Sequence, residues 1–162
     1  MMTDLTAVCA FLHREARLLD DRQWVEWLAC YALDAEFWMP SWTDDDALVT
    51  DPQSEISLIY YANRQGLEDR VYRLETERSS ASMPEARTSH MLANIEIVGE
   101  RSGEIEVRYN WHTLSHRLKA TSQFFGTTFV TLDLTGENHV IRRKKVVLKN
   151  DYIHQVIDIY HI

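Results

Sequence analysis

Histidine is the residue type in this sequence that could do the widest range of chemistry, and two of the seven histidines are closely spaced. His112 and His116 form an HxxxH pair, and imidazole is a common ligand for zinc and iron. The zinc-protease motif has a Glu directly after the first His on a helix, whereas Thr113 follows here in a segment with a strand-like period of two. Even spacing puts both rings on one face of the strand. A pair with no third ligand does not predict a metal site.

A second set of polar side chains suits proton transfer. A carboxylate or imidazole held in a pocket can acquire the shifted pKa that general acid–base catalysis needs. The competing interpretation makes Asp34 and His90 structural hydrogen-bonding residues at the ends of elements, and the sequence favours that one. The residues that could line such a pocket are Tyr31, Asp34, Tyr60, His90 and His112.

Nucleophilic and phosphate-binding motifs are absent from the sequence. There is no GxSxG elbow, no GxGxxG and no GxxxxGK[ST], and the chain has only 5 glycines. Its two cysteines, Cys9 and Cys30, form no CxxC or CxH pair that could start a zinc site. Cys9 falls on the apolar face of a predicted helix, which predicts an inert core thiol.

Length and composition limit the classes of protein to which this chain can belong. The 162 residues predict a single domain over residues 1–162, and 45% hydrophobic with 26% charged residues is ordinary for a globular chain. A net charge of −8 disfavours nucleic acid and anionic membranes. The longest strictly apolar run, residues 27–33, is too short to cross a bilayer, and the first residues lack a basic signal-peptide region. We therefore expect a soluble, reduced, cytoplasmic protein.

Helical periodicity marks the first part of the chain. Apolar residues recur at helical spacing over residues 4–20, and Thr3 or Asp4 suits the N-cap. A second short helix is predicted from about Asp21, with Trp24, Trp27, Leu28 and Tyr31 on one face packed in the core. A third is predicted from Asn63 to about Leu74.

Most of the rest of the chain has the residue pattern of β-strands. Short strands are predicted at residues 37–39, stopped by Pro40, and at 56–61, with a solvated acidic loop over 41–54 between them. Long strands are predicted at residues 88–98, 104–117, 122–134 and 139–149, and the tail at 152–162 fits either a helix or a strand. Helices followed by long antiparallel strands predict an α+β fold, a curved sheet wrapped around the N-terminal helices to form a cone.

Three features suggest contacts with other chains. The basic run at residues 142–145 alternates faces on a strand, so it is either half of a protein interface or a plain solvated strand. The apolar residues 156–162 should pack on their own sheet or on a partner. Phe125 and Phe129 fall on the strand face opposite Phe124, Val130 and Leu132, which predicts that a neighbour covers them.

Five stretches, taken in order, resemble a known family. They are residues 14–28, 34–40, 51–61, 84–90 and 146–153. Together they resemble the small (beta) subunit of aromatic-ring-hydroxylating dioxygenases, nearest to the benzoate/toluate 1,2-dioxygenase branch, over essentially the whole chain.

The resemblance implies a cone fold like that of nuclear transport factor 2 (also called cystatin-like), and a hexamer of three large and three small subunits. It also implies that the large (alpha) subunit carries a Rieske 2Fe-2S cluster and a mononuclear iron, and that a reductase supplies electrons from NADH. The complex would cis-dihydroxylate an aromatic acid such as benzoate.

The ligands for this chemistry are not evident in the chain. A Rieske centre needs two cysteines and two histidines in fixed spacing, and no His-His-carboxylate triad for iron is apparent. We therefore expect a non-catalytic structural subunit and assign it no catalytic, cofactor-binding or metal residue. The alternative is a free-standing cone-fold isomerase or dehydratase that uses Asp34, His90 or His112 as acid or base.

Overall fold

A computed structural model describes residues 3–80, 84–151 and 155–162 of the chain. Three helices and six strands precede a final 3-10 turn. The helices are α1 (Leu5–Asp20), α2 (Trp24–Leu28) and α3 (Arg64–Ser80), and the turn is Ile159–His161. The strands are β1 (Tyr31–Pro40), β2 (Ser57–Tyr61), β3 (Arg87–Arg101), β4 (Glu104–Arg117), β5 (Ala120–Asp133) and β6 (Val140–Leu148).

The strands form one curved sheet in the order β2-β1-β6-β5-β4-β3. The last four strands follow one another as an antiparallel meander. The predicted α+β fold is confirmed, but the sheet is not wholly antiparallel, because β1 pairs with β6 in parallel. That pair joins segments about a hundred residues apart, so no local pattern could reveal it.

The first helix forms as predicted and supplies the main packing surface for the sheet. Asp4 caps it by accepting a hydrogen bond from the Thr6 amide at 2.9 Å. Val8, Leu12 and Leu19 are buried along one stripe, and α1 packs against β3. No helix among the described residues is long and apolar enough to cross a membrane.

Two predictions around Tyr31 are wrong. The second helix ends at Leu28, and Tyr31 instead opens a ten-residue strand that continues through Phe37 to Pro40. Tyr31 still faces the core, because a turn at residues 29–30 redirects the chain without moving this side chain away from α2. The strand is longer than its local pattern suggests because β6 pairs with it from Tyr31 onward.

Three other boundaries differ from the predictions. Helix α3 continues past Leu74 to Ser80. Strand β3 runs through Gly99 to Arg101, because β4 pairs with it along this whole stretch, and Gly103 makes the turn with a φ of +78°. In the described part of the tail, residues 155–162, there is neither a long helix nor a strand, and Ile159–His161 forms a 3-10 turn. Tyr152 and Ile153, part of the predicted tail, lie outside the described residues.

Candidate functional site

A buried polar centre lies where a catalytic pocket would be expected, between the helices and the sheet. We use this name for Glu15, Trp27, Tyr31 and Lys144. Glu15 Oε1 accepts hydrogen bonds from Tyr31 Oη at 2.8 Å, from Trp27 Nε1 at 3.0 Å and from Lys144 Nζ at 3.0 Å. Glu15 is 2% exposed and Lys144 3% exposed. Helix α1, α2, β1 and β6 each contribute one member.

The electrostatics of the buried polar centre keep its ion pair charged. Burial acts to raise the pKa of Glu15, but the Lys144 charge and the three hydrogen bonds outweigh it and hold that pKa below its usual value. Burial acts to lower the pKa of Lys144, and the Glu15 carboxylate outweighs it in turn. Burial and the same carboxylate raise the pKa of Tyr31 well above its usual value.

The buried polar centre therefore suits a structural role better than proton transfer. Its carboxylate is held by three donors, all on Oε1, and its lysine is charged. Three surface hollows of about 380, 540 and 630 Å³ are lined by other residues, and none of them includes Glu15, Tyr31 or Lys144. A general base must come within hydrogen-bond reach of a substrate, and Glu15 lines none of these hollows.

The structure does not bring the predicted pocket residues together. Tyr31 lies in the core, whereas the Asp34 side chain is 69% exposed and pairs with Arg142 Nη1 at 2.9 Å. Tyr60 donates to Glu36 at 3.2 Å near the sheet edge. His112 faces outward and contacts Gln123 Oε1 at 2.9 Å. The pocket hypothesis was wrong because Asp34 and His112 point to the outer face of the sheet, away from Tyr31.

His90, the remaining residue of the predicted pocket, lies against the end of α1. Its ring Nδ1 is 2.5 Å from Asp20 Oδ1, at the end of α1, and its side chain is 3% exposed. This agrees with the interpretation of His90 as a structural hydrogen-bonding residue.

The two histidines of the HxxxH pair each contact a neighbouring polar side chain. His116 Nδ1 contacts Thr121 Oγ1 at 2.8 Å on the outer face. Among the described residues, no three His, Cys, Asp or Glu side chains form a group that could hold a metal ion. Cys9 is only half-buried, so the predicted core thiol is instead Cys30, whose pKa burial raises to about 11.

Glu15 was not among the residues predicted to form a site, and Lys144 was predicted only as part of a basic run at an interface or on a solvated strand. A signal for Glu15 was present, since it falls on the apolar stripe of α1 between Leu12 and Leu19. The basic run is divided between the two faces of β6: Lys144 points into the core, whereas Arg142, Arg143 and Lys145 remain on the outer side.

The outer face of the sheet carries one row of side chains that crosses all six strands. We call it the outer row, and neighbouring members are register partners. Lys145 Nζ lies 5.1 Å from the Trp38 ring centroid and 6.0 Å from that of Phe129, and the Arg108 guanidinium is 5.9 Å from Phe129. In strand order the row is Tyr60, Trp38, Lys145, Phe129, Arg108 and Glu96.

Comparison with known proteins identifies close relatives. A family model described as "Ring hydroxylating beta subunit" matches residues 14–155. The chain is 59% identical over 162 residues to toluate 1,2-dioxygenase subunit beta of Pseudomonas putida, covering 100% of both chains. It is 57% identical over 155 residues to benzoate 1,2-dioxygenase subunit beta of Acinetobacter baylyi, covering 96% of this chain and 92% of that one. The crystal structure of the benzoate 1,2-dioxygenase beta subunit of Burkholderia mallei superposes with a TM-score of 0.87 at 55% identity, covering 100% of both chains.

Proposed function

The chain belongs to the ring-hydroxylating beta-subunit family, and on that premise we propose that it is the structural small subunit of a dioxygenase that cis-dihydroxylates an aromatic acid such as benzoate. The resemblance to the benzoate/toluate branch is confirmed. The observation that carries the proposal is the 59% identity to the toluate 1,2-dioxygenase beta subunit over 100% of both chains. The interior agrees with it, because Glu15 is held by three side chains of the same core and lines none of the three hollows.

In this proposal, the large subunit and a reductase carry out the redox chemistry. The large subunit holds a Rieske 2Fe-2S cluster and a mononuclear iron, and a reductase delivers electrons from NADH. Both atoms of O2 enter the ring of the substrate. This chain, acting as one domain over residues 1–162, contributes no catalytic, cofactor-binding or metal residue. We expect the complex in the cytoplasm, where NADH is available.

The proposed role of this chain is to hold a hexamer of three large and three small subunits together. The outer face supports this role, because Phe125 is 47% and Phe129 40% exposed. Exposed aromatic and arginine side chains in one patch are typical of the centre of a protein interface. The outer row places Phe129 between Lys145 and Arg108, so a neighbouring subunit would meet rings and cations together.

Co-expression with the large subunit tests the proposal. We expect the two chains to purify together, with aromatic-acid-dependent O2 consumption and with iron in the complex. The chain expressed by itself should carry no stoichiometric iron or zinc by elemental analysis. A colourless oligomer of this chain alone that catalyses an isomerisation or dehydration would contradict the proposal and support the alternative.

Glutamate in place of Phe129 should break the assembly. Loss of a buried aromatic side chain from the centre of an interface can cost about 2 kcal/mol or more, and the new carboxylate would pair with Lys145 and Arg108 of its own chain. The neighbour would then meet neither a ring nor free cations, so F129E should shift the complex to smaller species in light scattering. Tyr72→Glu is the matched control, because Tyr72 is 69% exposed on α3 and not on the sheet. An intact F129E hexamer would remove this face from the proposed interface.

Asp34 and His112 test the acid–base alternative. Asp34→Asn and His112→Gln should leave turnover per assembled complex near wild type, because both side chains lie on the outer face. His90→Gln should affect stability or assembly but not turnover. Steady-state kinetics on complexes purified by size checks this. A loss of about 10²-fold or more, the scale of a lost acid–base group, would favour a catalytic role.

A further inference from the structure

The last part of the chain is fastened to three other elements. We call residues 157–162 the closing segment. Asp158 caps its 3-10 turn and pairs through both carboxylate oxygens with the Arg70 guanidinium on α3. The Arg22 guanidinium lies 4.5 Å from the Tyr160 ring centroid. The third attachment is His90 on β3, whose Nε2 is 3.2 Å from the main-chain oxygen of Ile162.

His90 bridges two hydrogen-bond acceptors. Its Nδ1 is 2.5 Å from Asp20 Oδ1, while its Nε2 faces Ile162 O. Asp20 also accepts from the His90 main-chain amide at 2.9 Å and from Thr88 Oγ1 at 2.9 Å. The ring is nearly enclosed, with a side chain only 3% exposed, so bulk water cannot easily replace either partner.

The two partners of His90 determine how many of its ring nitrogens must carry hydrogen. Burial acts to raise the pKa of Asp20, but the contacts with His90 and Thr88 outweigh it, so this carboxyl stays ionised and cannot donate. The main-chain oxygen of Ile162 cannot donate either, whether it belongs to a carbonyl or to an ionised carboxylate. A neutral imidazole has a single N–H and would direct its lone pair at one of the two oxygens. Both contacts are satisfied together only when both ring nitrogens carry hydrogen.

We propose that His90 is a proton-dependent clamp: its imidazolium joins Asp20 at the end of α1 to Ile162 and thereby holds the closing segment against the sheet. Loss of one proton breaks one of the two bonds. Because the Asp20 contact is the shorter of the two, at 2.5 Å against 3.2 Å, the remaining N–H stays on Nδ1 and the contact with Ile162 is lost. The closing segment is then held by its apolar side chains and Arg70, and it opens more often.

Other titratable and charged groups surround His90 and the closing segment. Burial lowers the pKa of His161 to about 4, so that ring is neutral and accepts from the Asp158 amide at 2.9 Å. Burial raises the pKa of Tyr160. The remaining neighbours are carboxylates and guanidinium groups: Asp20, Arg22, Arg70, Glu85, Arg117 and Asp158. Histidine is the side-chain type that ordinarily changes charge between pH 5 and 8.

Hydrogen–deuterium exchange of the full chain tests the clamp. Peptides covering residues 157–162 are compared at about pH 5.5 and pH 9, on either side of the usual imidazole range, with labelling times scaled for the intrinsic rates. We expect protection in the wild type to fall about tenfold or more at the higher pH, the effect of losing one charge-assisted hydrogen bond. His90→Gln should show the lower protection at both pH values.

Two further measurements keep the test decisive. His112→Gln, on the outer face, should retain the wild-type response. If His90→Gln does not fold, ¹⁵N NMR of the histidine rings in the wild type decides: both His90 nitrogens should be protonated at about pH 5.5. Equal protection at the two pH values, a pH response that persists in His90→Gln, or a single protonated nitrogen at low pH would each overturn the proposal.

Discussion

Lys144→Met is expected to lower the free energy of unfolding by about 3–5 kcal/mol, the cost of leaving a buried charge without its partner. Glu15 would keep the hydrogen bonds from Tyr31 and Trp27 but lose the only cation that contacts its carboxylate among the hydrogen bonds and ion pairs of the described residues. Urea unfolding followed by tryptophan fluorescence measures the change. Arg143→Met is the matched control, since its side chain is 65% exposed one position away, and it should shift stability by less than about 1 kcal/mol.

The double variant separates the charge from the packing. Glu15→Gln combined with Lys144→Met removes both charges, while the new amide oxygen still accepts from Tyr31 and Trp27. No buried charge is then left without a partner, and neither of these two donors is left without an acceptor. We expect the double variant to recover most of the loss. If Lys144→Met alone were as stable as wild type, or if the double variant were no better than the single one, the ion pair would not be the cause.

Acid should unfold the wild type partly through this pair. The pKa of Glu15 is lower in the folded chain than its usual 4.5, so the pair stabilises the fold above that value. As the pH falls below 4.5, the pair's contribution to stability begins to decrease. It is lost completely once the pH has passed below the lower pKa that Glu15 has in the folded chain. The double variant has no charge here and should lose less stability over the same range.

Ile159→Ala is expected to lower the free energy of unfolding by about 2–5 kcal/mol, which is the usual cost of truncating a core side chain. Ile159 is 0% exposed, whereas Val156, three residues earlier, is 90% exposed. Val156→Ala should therefore change stability by less than about 0.5 kcal/mol. Thermal or urea unfolding of both variants measures the contrast, and similar losses at the two positions would contradict the packing described for this segment.

Removal of residues 156–162 extends the same argument. The sequence left open whether this tail packs on its own sheet or on a partner, and Ile157, Ile159 and Ile162 are buried within the same chain. We therefore expect the truncated chain to aggregate, because the core that these side chains cover would be exposed to water. A truncated chain that stays soluble and assembles at its normal size by light scattering would contradict this.

Features encoded over short stretches of sequence were predictable. Helix α1 follows from its apolar spacing and from Asp4 as its N-cap. Strand β4 follows from strict alternation, and its predicted bounds match Glu104–Arg117. The outward positions of Phe125 and Phe129 follow from the period of two on β5. Each of these depends on residues within one element, where geometry repeats every turn or every second residue.

Contacts between distant segments were not predictable in this way. The parallel pairing of β1 with β6 and the meeting of Glu15 with Lys144 join residues more than a hundred positions apart. The family resemblance carried the functional assignment, while the tertiary structure showed that Asp34 and His112 lie outside and that Glu15 occupies the interior. By itself the sequence determined which elements form and which faces are apolar. Only the folded sheet decided which polar side chains share the core, because that depends on strand order and register rather than on local period.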